Sequence, residues 1–200
     1  RPFSEPGTKT VLWLLVPGTV GLAATQLNIL VNSVYATNYG SGAVSWLNYA
    51  FRFMQLPIGI FGVSLAAATL PQVPRKLAAG GVHEAGQEVS KSLRLVFAVN
   101  GPAAAGLMAI GLPIVQAIFQ HGRFGQFDSD QTASALFWYA LGLPGYSVVK
   151  VIVPVFYALG TTRIPVTISF FMVVLNLILN HIFYTVFHFP FWALALATSI

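Results

Sequence analysis

No Asp, Glu, Lys or Arg occurs between Lys9 and Arg52, and none follows Arg163. Uncharged stretches of that length suit hydrocarbon, because a spanning helix takes ~20 mostly apolar residues to cross ~30 Å. Only 8 % of the 200 residues are charged and 56 % are hydrophobic, whereas soluble domains carry about 25 % charged residues. Ten basic and five acidic side chains could not cover a globule of this size with ionic groups. A lipid-facing exterior removes the need. The fold class expected is therefore all-α, a polytopic membrane helix bundle.

Turn residues and charges divide the chain into about six hydrophobic segments, at residues 11–36, 43–70, 93–119, 132–159, 165–187 and 191–200. The last is too short to cross a bilayer alone. Arg1 is not an initiator Met and no short apolar leader with a cleavage site follows it. Residues 1–200 are thus expected to form a single membrane lobe, incomplete at both ends. The absence of Cys removes disulfide and thiolate chemistry.

The connectors carry their own signals. Tyr39 to Gly42 reads as a tight turn closing a hairpin. The Pro71 to Lys91 stretch, with Arg75, Lys76, His83, Glu84 and Glu88, suits either an amphipathic surface helix or a solvated loop. Asp128 and Gln131 have capping-box spacing for the fourth helix, Gly160 to Arg163 ends it, and Pro165 opens the next. Lys and Arg counted on alternate sides give Arg1, Lys9, Arg75, Lys76, Lys91, Arg94 and Arg163 against Arg123 alone. The net charge of +5 reads as this topology signal and not as a nucleic-acid footprint. By the positive-inside rule the larger set is cytoplasmic, and the Gly40 turn, the Gly122 loop and His188 face outward.

Two basic residues fall inside hydrophobic segments, Arg52 and Lys150. A charge at the centre of a spanning helix costs at least ~2.5 to 3.5 kcal/mol, so such residues usually face a bundle interior or an aqueous cavity. Snorkelling is the competing account. It is harder for Arg52, which lies about ten residues, or ~15 Å, from the outer turn, than for Lys150. All five carboxylates, Glu5, Glu84, Glu88, Asp128 and Asp130, lie in terminal or connecting segments. Cations without protein counter-ions point to an anionic ligand, and a guanidinium matches phosphate oxygens.

The helix breakers Pro57, Gly59, Pro102, Pro144 and Pro154 fit a hinged or kinked transporter, or simply the greater frequency of Pro and Gly in spanning helices. Asn100-Gly101-Pro102 is expected to interrupt the third helix. Asn28 with Asn32, and Asn176 with Asn180, each share one helix face by i, i+4 spacing. They suit an interhelical polar contact or a small-cation site. No Walker-type loop, paired intramembrane carboxylates or His cluster is present. No enzyme, cofactor or metal centre is expected.

At Tyr49 to Val63, followed by Leu70-Pro71, the sequence resembles the MviN/MurJ family of lipid II flippases. The resemblance continues at Phe119 to Phe124, at Val149-Lys150-Val151 with Pro154, Phe156, Tyr157 and Ala158, and at Arg163 to Val166. It implies helices seven to twelve of a fourteen-helix transporter of the multidrug/oligosaccharidyl-lipid/polysaccharide exporter superfamily. The implied function is translocation of the undecaprenyl-diphosphate-linked peptidoglycan precursor across the bacterial inner membrane by alternating access. The implied partners are lipid II, membrane lipids and the missing first lobe. By resemblance Arg52 matches the cavity arginine that binds the diphosphate, with Lys150 in support. Two departures stand out, Phe51 where the family has an acid and Gln55 where it has Glu. Another exporter of the superfamily, or a scaffold for cell-wall enzymes, remains an alternative reading.

Overall fold

The computed structural model describes residue 23 and residues 26–200. Most of the first expected helix, with Arg1 and Lys9, lies outside the described residues. Its end, α1, is helical over residues 26–37. There follow α2 (Ala43–Pro57), a π-helical turn (Ile58–Gly62), α3 (Val63–Thr69), α4 (Gln72–Ala78) and α5 (Val82–Phe119). The chain ends with α6 (Gln126–Ala158), α7 (Arg163–Thr185) and α8 (Ala193–Ser199). No strand occurs among the described residues. Four stretches are long and apolar enough to cross a membrane: Ala43–Ala78, Val82–Phe119, Gln126–Ala158 and Arg163–Thr185.

The π turn has a local cause. Pro57 lacks an N–H and its ring crowds the carbonyl of Phe53. The Ile58 N–H bonds to the Gln55 carbonyl and the Val63 N–H reaches back five residues to the Ile58 carbonyl. One residue more than an α turn is thereby accommodated without ending the helix.

Three sequence expectations are corrected. The third helix does not begin at residue 93: of the two readings of the connector the helical one holds, α4 and α5 meet at a turn over residues 79–81 with Gly80 at φ 80, and α5 begins at Val82, eleven residues before its apolar stretch. Charge density marks the membrane boundary there, and the helix continues past it. Asn100-Gly101-Pro102 does not interrupt α5; the departure from helical geometry falls at Ile110 (φ −117, ψ 17), three residues before Pro113, which cannot bond to the Ala109 carbonyl and clashes with it. Asp128 is not the N-cap of α6. Gly125 is, and Asp128 sits at the third helical position, where its Oδ2 accepts the Gly125 N–H at 2.9 Å. Its Oδ1 accepts from Trp46 Nε1 at 2.8 Å, pinning α2 to the start of α6.

The core lies where α2, α5, α6 and α8 meet, with Ala50, Met54, Val115, Leu136, Leu143 and Leu194 fully buried. Aromatic rings close one end: Phe119 packs on Tyr49 (4.6 Å between centroids) and Phe53 (5.4 Å), and Trp46 on Phe127 and Phe191. Small residues permit close approach, as usual between membrane helices. A Cβ on Gly142 of α6 would lie 2.8 Å from the Cα of Ser199 in α8, and the Ser199 hydroxyl donates to the Trp138 carbonyl at 2.8 Å. At the other end, the Thr69 and Ser92 hydroxyls share a 2.6 Å hydrogen bond and Lys76 pairs with Glu88 at 2.6 Å.

Candidate functional site

Two exposed helix faces differ in chemistry. On α7 the exposed side chains include Ile168, Phe170, Phe171, Leu175 and Ile178, a surface of the kind lipid tails cover. Along α2 and into the π turn the exposed face carries Ser45, Asn48, Arg52, Gln55 and Gly59. Their spacing of three and four residues aligns them on one side, opposite the buried Ala43, Trp46, Leu47, Ala50 and Met54. A polar stripe with a guanidinium at its middle is costly against hydrocarbon. It suits water or another polar surface. Among the described residues Arg52 has no carboxylate within salt-bridge distance, and Lys76–Glu88 is the one ion pair.

Phe51, next to Arg52, turns toward α6 and packs on Tyr139 (5.5 Å) and Tyr146 (6.2 Å). A carboxylate at that position would meet aromatic rings, so the phenyl ring is consistent with its neighbours. Gln55 makes no side-chain hydrogen bond among the described residues and leaves its amide free on the stripe. Asn48 donates to the Val44 carbonyl at 2.7 Å, which leaves its side-chain oxygen open.

Lys150 is exposed too, one helical turn beyond Tyr146 and on the side of α6 that meets Phe51. The helices run in the same direction, with Trp46 bonded to Asp128, Phe51 packed on Tyr139, and a Cβ on Gly62 falling 3.5 Å from Ser147. Ten residues separate Arg52 from Gly62, and Lys150 lies beyond Ser147, so the helix positions of the two cations stand ~15 to 20 Å apart along the bundle. Pro57 leads into the π turn beside the stripe, while Pro102, Pro144 and Pro154 lie inside continuous helix.

The four asparagines come together. Asn180, fully buried in α7, donates through Nδ2 to Asn32 Oδ1 of α1 at 2.6 Å and to Asn176 Oδ1 at 3.0 Å. Asn32 Nδ2 reaches Asn28 Oδ1 at 3.0 Å and Thr198 Oγ1 of α8 at 2.8 Å, and Asn176 Nδ2 reaches the same hydroxyl at 3.4 Å. Three helices are thereby tied through neutral groups. Asn180 Oδ1 alone of the four amide oxygens is left without a partner, since the others accept from neighbouring amides. No group of three or more His, Cys, Asp or Glu that could hold a metal ion occurs among the described residues. Outside the membrane, the hydrogen bond from Lys76 holds the Glu88 carboxyl below the usual range for a glutamate.

Sequence reasoning singled out Arg52 but missed its stripe. The signal was present in Ser45, Asn48 and Gln55, which recur at helical spacing around it in an otherwise apolar segment. Thr198, the hydroxyl that joins two of the amides, carried no signal of its own.

Known proteins bear on this arrangement. The family model described as lipid II flippase MurJ matches residues 2–200. The lipid II flippase MurJ of Burkholderia cenocepacia is 32 % identical over 183 residues, 92 % of this chain and 36 % of that protein. A probable lipid II flippase MurJ of Vibrio cholerae is 30 % identical over 198 residues, 99 % of this chain and 37 % of that one. The chain thus spans little more than a third of the length of these relatives. A solved lipid II flippase MurJ in an inward closed conformation superposes with a TM-score of 0.82 at 28 % identity, covering 98 % of this chain and 41 % of the other. An outward-facing multidrug resistance transporter of the MATE family shares the fold at a TM-score of 0.80 and 17 % identity, over 96 % of this chain and 41 % of the other. With four apolar helices and a match along nearly its whole length, the chain is a multi-pass membrane protein and belongs to the lipid II flippase MurJ family.

Proposed function

We propose that this chain is one lobe of a transporter that moves lipid II from the inner to the outer leaflet of the bacterial cytoplasmic membrane by alternating access. It works as a binding and gating element, not as an enzyme, and faces a first lobe of the same protein. The observation that carries the reading is the polar stripe of α2, centred on a guanidinium with no carboxylate partner among the described residues, where a lipid-facing helix would be apolar. Arg52 binds the diphosphate through paired N–H donors. Lys150, ~15 to 20 Å away, raises the positive potential at a second station along the same cleft. The π turn after Pro57 lets the two halves of the α2–α3 rod adjust as the lobes rock, and Pro102, Pro144 and Pro154 ease bending elsewhere. The asparagine set acts as an interhelical contact. Three of its four oxygens are occupied by hydrogen bonds, and a neutral donor set is weak toward hard cations.

The test is lipid II binding and cellular flipping by the full-length protein, with expression matched. Each charge-assisted hydrogen bond is worth roughly 1.5 to 3 kcal/mol, so Arg52→Ala should weaken binding ~10- to 150-fold. Arg52→Lys should retain part of the function, because it keeps the charge and loses the fork. Wild-type values for Arg52→Ala in both assays would remove this residue from the site.

A further inference from the structure

On the flank of the α5–α6 hairpin away from α2 lies an open groove of about 370 Å³, room for roughly a dozen water-sized volumes. Met108 and Leu112 of α5 and Phe137 and Trp138 of α6 form its apolar length. Asp130 and Ser134 form its polar end. Asp130, Ser134 and Trp138 recur every four residues and so descend one face of α6, from carboxylate to hydroxyl to indole. Above them sits an amide collar: Gln116 and Gln120 each donate to Gln126 Oε1 at 3.1 Å, and Gln126 Nε2 donates to Asp130 Oδ1 at 2.9 Å.

The collar orients Asp130 and leaves its second oxygen without a side-chain partner. No cation lies within 4.0 Å of it among the described residues, where the one ion pair is Lys76–Glu88. Asp128, two residues earlier, is different, with one oxygen taken by Gly125 and the other by Trp46. Trp138 stacks on Trp192 at 4.9 Å and Trp192 on Phe189 at 5.8 Å. Eight residues, or ~12 Å of helix, separate Asp130 near the exposed α5–α6 loop from Trp138 in the apolar part of α6. The groove therefore runs from a free carboxylate at its wet end to apolar walls below, the polarity change of a headgroup above its acyl chain.

We propose that this groove binds an aminophospholipid, with the primary ammonium of a phosphatidylethanolamine headgroup on the free oxygen of Asp130. The ammonium donates to the carboxylate and to the Ser134 hydroxyl. The upper part of an acyl chain lies between Leu112 and Trp138. A choline headgroup has no N–H to donate, and an anionic glycerol headgroup is repelled. Neither Arg52 nor the direction in which the lobe spans the membrane enters this assignment, so its failure leaves the transport reading untouched.

The experiment uses the full-length protein in nanodiscs of phosphatidylglycerol mixed with either phosphatidylethanolamine or phosphatidylcholine, followed by native mass spectrometry of the lipid retained. Wild type should retain the ethanolamine lipid about two- to fivefold over the choline lipid, the yield of one exposed ammonium–carboxylate pair. Asp130→Asn keeps the contact with Gln126 and should abolish the preference. Ser134→Leu, which fills the mouth, should lower retention of both lipids. A series of mono-, di- and trimethylated ethanolamine lipids, titrated against wild type, should show a stepwise fall and needs no variant to fold. Equal retention of the two headgroups by wild type, a flat methylation series, or an unchanged preference in folded Asp130→Asn would overturn the proposal.

Discussion

Removing the buried amide of Asn180 gives the most direct reading of what joins α1 to α7. The side chain is fully buried and its Nδ2 serves two acceptors, Asn32 Oδ1 and Asn176 Oδ1. Asn180→Leu keeps the branched heavy-atom shape, with a better helix former, but strands both oxygens. Interhelical hydrogen bonds in membranes average about 0.6 kcal/mol and reach about 1.7, and a stranded buried acceptor costs about 1 to 3 kcal/mol. The single variant should therefore lose about 1 to 3 kcal/mol. Asn32→Leu should lose a similar amount, because it breaks contacts to Asn28, Thr198 and Asn180 together. The double variant should lose less than the sum of the two by about 0.6 to 1.7 kcal/mol, the coupling carried by the shared 2.6 Å bond. Reversible unfolding of the full-length protein in bicelles supplies the four free energies. Additivity within about 0.3 kcal/mol, the behaviour of independent sites, would refute the claim that these amides hold the helices to one another.

Three further outcomes follow from the packing. Gly142→Ala places a methyl 2.8 Å from the Ser199 backbone and should cost about 1 to 3 kcal/mol. Gly106→Ala, with nothing within 4 Å of its new methyl, should be neutral or gain up to about 1 kcal/mol; equal melting shifts for the two would contradict the α6–α8 contact. Trp46→Phe keeps the ring against Phe127 and Phe191 but loses the donor to Asp128, and denaturant unfolding should record a loss of about 1.5 to 3 kcal/mol. Because Lys76 depresses the Glu88 pKa, the pair stabilises the α4–α5 turn above the ordinary glutamate pKa, and this contribution is lost as pH falls through the depressed value. Hydrogen exchange at residues 76–90 should rise at that acidic edge in wild type, and Glu88→Gln should remove the dependence.

The hydrophobic runs made the membrane class and the apolar part of each described span readable from the sequence, because lipid imposes length and polarity at once. The asparagine pairs were readable for a similar reason: i, i+4 spacing fixes a face, and a face of amides in hydrocarbon needs another to meet. What resisted was anything set by the relative depth of two helices. Arg52 and Lys150 both read as intramembrane cations, yet their relative depth follows from the close passage of Gly62 by Ser147, where a Cβ on the glycine would lie 3.5 Å away, and two small residues leave no mark in the sequence. The bend of α5 was placed at Asn100-Gly101-Pro102, where three helix-weakening residues adjoin. It falls near Pro113 instead, at Ile110. Helix ends were read from charge, which records where water begins; for α5 the two boundaries lie eleven residues apart.

The π turn at Ile58–Gly62 has a geometric effect beyond its place in a hinge. One residue inserted into a rod of 3.6 residues per turn advances the azimuth of everything after it by about 100°. The stripe from Ser45 to Gly59 therefore does not continue down the same line. Ile60 and Phe61 within the turn and Val63 directly after it are exposed, as is Ser64. The faces presented by α2 and by α3 are thus set relative to each other by one extra residue. Deleting one residue within 58–62 would bring the two helices back into phase and turn Arg52 by about 100° relative to α3, a reorientation that no single substitution reproduces.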